Sequence, residues 1–272
     1  MSIQKISYCG AQVRDHDPDR FLLSMVMPVD KREALWALFA FNHEIAKTRE
    51  IVTETQLGLI RLQWWREALE GIYAPQSTVL EHEVVQALAQ AIKAHDLPQQ
   101  LFEDLLYARE FDLEDRLPAS LDGLENYADY TTTPLNRLVL AVLDEGADDE
   151  SLQAISKAYA MTGLLRAVPY HCGQERCFLP EDLMQTAEIK MNNFYNYKEA
   201  DSVISVTRAA VEDIQKILSC APKQKSHFLK ASKVMTRIYL KQIKAQNFNV
   251  FDPAMARPPA FFHFRFLLGL LF

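Results

Sequence analysis

Glycine is scarce in this chain, 8 among 272 residues, and the 12 prolines are scattered rather than clustered. Many short strands would need more turn residues than that, so the composition favours helices. A basic surplus is also missing: 36 acidic against 29 basic side chains leave a net charge of -7. Sequence-independent binding of nucleic acid needs a basic surface to neutralise phosphates, and nucleic acid is set aside as a partner. Only four cysteines occur, Cys9, Cys172, Cys177 and Cys220. In a chain this long they form no disulfide framework and fit a reducing, cytosolic-type compartment rather than secretion. No run of about 18 uncharged apolar residues exists, so no membrane span is expected. Met1 to Arg20 has no apolar stretch of signal-peptide length and carries Asp15, Asp17 and Asp19, against a secretory or organellar leader. The protein is expected to stay where it is made or to be already processed. Repeats of 20 to 50 residues and low-complexity tracts are absent, which leaves solenoids without support.

What is present is apolar side chains at helical spacing. The composition is 49% hydrophobic, enough for a large core in one domain spanning 1–272. After an irregular start, Lys31 to Glu50 places Leu35, Leu38, Phe39, Phe41, Ile45 and Ala46 mostly on a helical period. Gln56 to Tyr73 does the same with Leu59, Leu62, Trp65, Leu69 and Ile72, and stops at Ala74-Pro75. Adjacent Trp64 and Trp65 must point to different sides of that helix, with at least one in the core. Further helices are predicted at 79–94, 98–114, 121–143, 148–169, 200–219 and 225–246, with Asp148-Asp149-Glu150 favouring a helix start. Cys177 to Asn196 shows no clear period and reads as a loop plus a short helix. The fold class is therefore all-α, a compact multi-helix bundle of about eight or more helices. Residues 258–272 are strongly apolar, with Arg265 the one formal charge. They form either a final segment packed on the core or a membrane-surface or partner contact.

Four stretches carry a resemblance. Arg32 to Phe41, the segment Arg61-Leu62-Gln63-Trp64-Trp65-Arg66-Glu67, Ala108 to Leu113 followed by Leu124 to Tyr127, and Leu164-Leu165-Arg166 followed by Phe178-Leu179-Pro180-Glu181-Asp182 resemble, in that order, segments of the squalene/phytoene synthase family. The resemblance implies an isoprenoid (trans-prenyl) synthase type of bundle around a central cavity. There, two isoprenoid diphosphates are held by magnesium ions on aspartates of two facing helices. Residues four apart share a helix face, so a pair of carboxylates spaced that way reaches one metal cluster.

Matched to those motifs, this sequence departs heavily. The first motif's aspartate positions fall on Ala46, Lys47 and Glu50, and the second's on Ala167 and His171, with Pro169 and Tyr170 between them. Ala160 and Gly163 stand where two polar residues usually precede the second motif. Magnesium leans on carboxylates plus substrate phosphates, and its charge contributes several kcal/mol to departure of a diphosphate. Glu50 alone cannot hold two or three such ions, so no intact catalytic residue, no metal site and no cofactor are expected. Pro169, inside what would be a helix, is expected to kink it at a cost of about 3 kcal/mol.

The residues from Phe41 to Ala46 at the first motif and from Arg166 to His171 at the other resemble the family branch that includes a mitochondrial factor for assembling respiratory complex I. Thr55 to Arg61 and Asn249 to Pro253 are similar to it as well. That resemblance implies a non-catalytic protein working with complex I subunits or assembly proteins. Its expected place is peripheral to the inner membrane, on the cytoplasmic side or on the matrix side of a mitochondrion, with 258–272 as the contact and a lipid or isoprenoid as ligand. Fold kinship alone does not fix function. One alternative is an active prenyl transferase in which Glu50, Glu110 and Asp112 improvise a magnesium site. Another is a lipid-binding scaffold at a membrane surface unrelated to respiration.

Several side chains are candidates for ligand contact. His43 could donate to a bound anion or be a satisfied core histidine, and Lys47, Arg49 and Arg166 could clamp a phosphate directly. Tyr170 lies in the altered second motif. Glu110, Asp112, Glu114 and Asp115 form an acidic run, with Glu110 and Glu114 four apart on a predicted helix, which reads as a solvated face or a cation site. His171 with Cys172 and Cys177 suggests zinc, but the spacing is loose and a second pair is lacking.

Overall fold

A computed structural model describes residues 6–76, 78–222 and 225–271. Among these residues the secondary structure is entirely helical, as the composition and spacing predict. The chain divides into two compact units, the first built from residues 1–114 with 134–146 and the second from 115–133 with 147–272.

The first unit begins with α1 (Tyr8–His16) and α2 (Pro18–Met25), where apolar spacing alone suggests an irregular start. Their signals are caps rather than periodicity. Ser7 Oγ accepts from the Gly10 N–H, and Asp17 accepts from the Arg20 N–H with Pro18 at the first helical turn. Next come α3 (Arg32–Ala46), α4 (Thr48–Ile51), α5 (Thr55–Tyr73), α6 (Glu83–His95) and α7 (Gln99–Phe111). The helix predicted over 31–50 is thus two helices, broken at Lys47. Helix α3 is apolar on nearly every side because α1, α2, α6 and α7 all pack on it. Phe41 anchors this core with its ring edge-on to Trp65 and Phe102, at centroid separations of 5.4 and 5.5 Å. Trp65 is 1% exposed and Trp64 37%, as their adjacency on one helix requires. Gly58 on α5 lets the Leu113 side chain pass, since a Cβ there would lie 2.4 Å from Leu113 Cδ2.

Helix α8 (Leu121–Leu143) continues through Pro134. Fully buried Leu135, Leu138, Val139 and Val142 hold its second half in place despite the missing N–H.

The second unit contains α9 (Asp149–Arg166), α10 (Val168–Gly173), α11 (Glu181–Thr186), α12 (Met191–Tyr195), α13 (Ala200–Cys220), α14 (His227–Ala245) and α15 (Phe262–Leu271). Asp148 caps α9 by accepting from the Ser151 N–H. Helix α9 packs against both α13 and α14, and α15 lies on α14. Two short helices, α11 and α12, stand where the sequence predicts a loop and one short helix. Too few residues lie in each for a period to be visible. Residues 258–271 close with a helix docked by one face, while Phe272 lies outside the described residues.

Pro169 does not kink a helix. Helix α9 ends at Arg166, Ala167 caps it, and Pro169 falls in the first turn of α10, where an N–H has no intrahelical acceptor to lose. Replacing Pro169 by Ala should therefore destabilise the protein by about 0.4–1 kcal/mol, through added freedom in the unfolded chain. A gain of stability in urea unfolding would restore the kinked-helix picture.

Candidate functional site

The first-motif positions lie at the junction of α3 and α4. Ala46 is the last residue of α3, half-buried Lys47 is its cap, and Glu50 sits exposed in the short α4. Lys47 does not face solvent as an idle cation. Its Nζ donates to Glu44 Oε1 at 2.5 Å, Arg61 from α5 donates to Glu44 Oε2 at 2.7 Å, and Gln12 from α1 donates to Oε1 at 2.6 Å. The Glu44 side chain is only 8% exposed. Burial works against its charge, but the bonds from Lys47 and Gln12 and the charges of Lys47 and Arg61 outweigh it and hold its carboxyl below the ordinary value. One carboxylate thus ties three helices and holds Lys47.

His43, one residue earlier, stacks on His16 with centroids 4.7 Å apart and planes 10° from parallel. Burial, then the charges of Lys47 and His16, lower its pKa, so the neutral ring is favoured. Arg49 donates to the Val52 carbonyl at 2.8 Å.

The acidic run does not lie on one helical face. Helix α7 ends at Phe111, Asp112 is its cap and Asp115 has a left-handed φ of 52°, so Glu110 and Glu114 are not the i, i+4 pair that a helix through 114 would make. Glu110 receives Arg66 at 2.5 Å. Asp112, buried, pairs with Arg109 at 3.3 Å.

In the second unit, Arg166 at the end of α9 lies over the Tyr239 ring, its guanidinium carbon 3.3 Å from the centroid. Ala167 is the cap between α9 and α10. Tyr170 is exposed and touches the His171 ring edge-on. His171 packs against Phe178 at 4.8 Å, and its Nδ1 has no hydrogen-bond partner among the described residues. Burial, aided by the charge of Arg176, pushes its pKa down to about 4. It is a neutral ring in an apolar seat. Cys172 Sγ lies 2.9 Å from the Phe194 carbonyl, and burial raises both thiols, that of Cys177 to about 12. Such groups are poor sources of the thiolate that zinc requires. Among the described residues no three His, Cys, Asp or Glu side chains converge as ligands for an ion.

Residues 13–261 match the squalene/phytoene synthase family. The chain belongs to that family. Among its relatives, the Bos taurus protein named NADH dehydrogenase (ubiquinone) complex I, assembly factor 6 is 29% identical over 258 residues, 92% of this chain and 77% of that protein. The presqualene diphosphate synthase of Rhodopseudomonas palustris is 22% identical over 228 residues, covering 81% and 75%. The crystal structure of a squalene synthase from Alicyclobacillus acidocaldarius superimposes with a TM-score of 0.72 at 19% identity, covering 89% of this chain and 93% of that one. That likeness carries the fold alone, and the fold is that of the isoprenoid synthases.

Sequence reasoning singles out Lys47 but not its partners. Glu44 follows Asn42 and His43 near the end of a mostly apolar helix, and Gln12 and Arg61 are 32 and 17 positions away. The available signal is a charged side chain on a mostly apolar helix, since a charge buried there must be paired within the fold.

Two outcomes follow from these environments. Glu44→Gln, which leaves Lys47 and Arg61 facing each other without an anion, should cost about 2–3 kcal/mol in urea unfolding. Exposed Glu50→Gln should change stability by less than about 1 kcal/mol. For His171 the folded pKa of about 4 lies below the ordinary 6.5, so the unfolded chain binds more protons between them and stability falls as pH drops through that window. Between about pH 7.5 and about pH 5, the wild type should lose about 2 kcal/mol more than His171→Phe. Parallel stability curves would mean that the ring titrates normally.

Proposed function

We propose that this protein is a non-catalytic squalene/phytoene synthase relative that serves in assembling respiratory complex I at a membrane surface. The observation that carries the non-catalytic half is the engagement of Lys47 and Arg61 by Glu44 at the first motif. Magnesium requires oxygen donors. Of the motif positions Ala46, Lys47, Glu50, Ala167 and His171, only Glu50 offers a carboxylate, so the donor set does not suit the ion. Glu110 and Asp112 are held by Arg66 and Arg109, which works against their serving as substitutes. No prenyl-transfer step is assigned to these residues, and the protein works without a metal or cofactor.

Support for the assembly role comes from the relative named for complex I, which matches over most of both chains. On this reading the partners are complex I subunits or assembly proteins. The protein sits peripherally at the inner membrane, on the cytoplasmic or matrix side. Residues 258–271 make the contact, because α15 carries an exposed apolar face. Among the described residues no helix is long and apolar enough to cross a membrane.

The test is deletion of the gene followed by native gels. Assembled complex I should fall sharply, and both wild type and Glu50→Gln should restore it. Undiminished complex I would refute the assembly role. Purified protein given magnesium and labelled farnesyl diphosphate should release no diphosphate, and sustained release would overturn the non-catalytic half alone.

A further inference from the structure

Helix α15 is held to the second unit by one face only. Phe262 stacks on Tyr239 with centroids 5.0 Å apart, Phe266 is fully buried, and Lys230 donates to the Leu270 carbonyl at 2.9 Å. Gly269 permits the close approach, since a Cβ there would meet Val234 Cγ1 at 2.6 Å. The opposite face carries Phe264, Leu267, Leu268 and Leu271, all exposed at spacings of three and four. Phe261 precedes them at 81% exposure with a φ of 56°, a left-handed conformation that costs a bulky residue about 1 kcal/mol and aims its ring outward. An anchored helix about 15 Å long with such a face is suited to lie in the plane of a lipid interface.

Beside the start of this helix is a groove of about 770 Å³, bounded by the end of α14 and the segment 253–260. Gln242 fixes its wall by donating to the carbonyls of Ala254 and Arg257 at 2.9 and 2.8 Å. Lys241, Arg257 and Arg265 line it and no carboxylate does. None of the three cations has an ion-pair partner among the described residues. In a chain of net charge -7, three unneutralised cations in one groove reverse the local sign. Their position next to the apolar face matches the two layers of a bilayer surface, charged headgroups above hydrocarbon.

We infer that this groove seats the phosphate of an anionic phospholipid while Phe261, Phe264 and Leu268 enter the acyl layer beside it. The inference rests on the proposed membrane contact of 258–271 and is independent of the complex I role. Each cation near an anionic surface contributes about fivefold in partitioning, so removing all three amounts to about a hundredfold.

The experiment is flotation of the full chain with vesicles of phosphatidylcholine alone and with added phosphatidylglycerol. Wild type should prefer the anionic vesicles, and the triple variant Lys241→Gln, Arg257→Gln, Arg265→Gln should lose about a hundredfold of that preference while keeping its residual binding to neutral vesicles. Phe264→Ser with Leu268→Ser should lose binding to both. Circular dichroism on each variant confirms that the fold persists. Wild type that floats with neither vesicle refutes the membrane contact and this inference together. Wild type that floats equally with both, with the triple variant unchanged, leaves the membrane contact standing and removes the groove. Saturable binding of inorganic phosphate, lost in the triple variant without any vesicle preference in the wild type, makes the groove a site for a free anion and overturns the lipid assignment.

Discussion

A carboxylate taken out of water must be compensated where it sits. Glu44 meets that demand by drawing in Lys47 from the cap of α3, Arg61 from α5 and Gln12 from α1, and the local arrangement of the first unit depends on it. The break between α3 and α4 falls at Lys47, whose side chain pairs with the carboxylate one turn earlier. Helix α1, short and otherwise held by few buried side chains, gains a polar tie to α3 through Gln12. Within this unit a carboxylate and two cations are turned toward one another.

The stretch from Arg166 to His171 in the second unit is held mainly by packing. Ala167 terminates one helix, and His171 rests neutral against Phe178. Arg166 is stacked on Tyr239 rather than extended into solvent. Pro169 fits because the chain ends one helix and starts another at that point, so its missing N–H falls where no acceptor waits. These residues are therefore locally consistent with each other, which is what a stable fold requires of them.

Much of the fold is legible in the sequence because helices that bury a face keep a period. The segments around Phe41, Trp65 and Leu138 reveal themselves through apolar spacing alone. Helices α1 and α2 do not, since few of their side chains are buried. Their signals are the caps Ser7 and Asp17, and in the sequence that aspartate reads only as a charge against a leader. The motif positions are readable from the order of residues, whereas the Glu44 contacts are not: they join residues distant in sequence, and periodicity carries no information about such pairs. The acidic run misleads for a related reason: α7 ends at Phe111 and the chain turns from Asp112 to a left-handed Asp115, with no glycine or proline there to signal it.

The four thiols stand in unequal surroundings. Cys9, Cys172 and Cys177 are buried, and burial raises the pKa of each, to about 12 for Cys9 and Cys177. Cys220, at the end of α13, is exposed. Electrophiles and oxidants act on accessible thiolates, so a maleimide dye or a spin label applied to the folded protein reacts at Cys220 and leaves the interior sulfurs untouched. The native chain thus carries a built-in reporter position on its second unit, usable without removing any other cysteine.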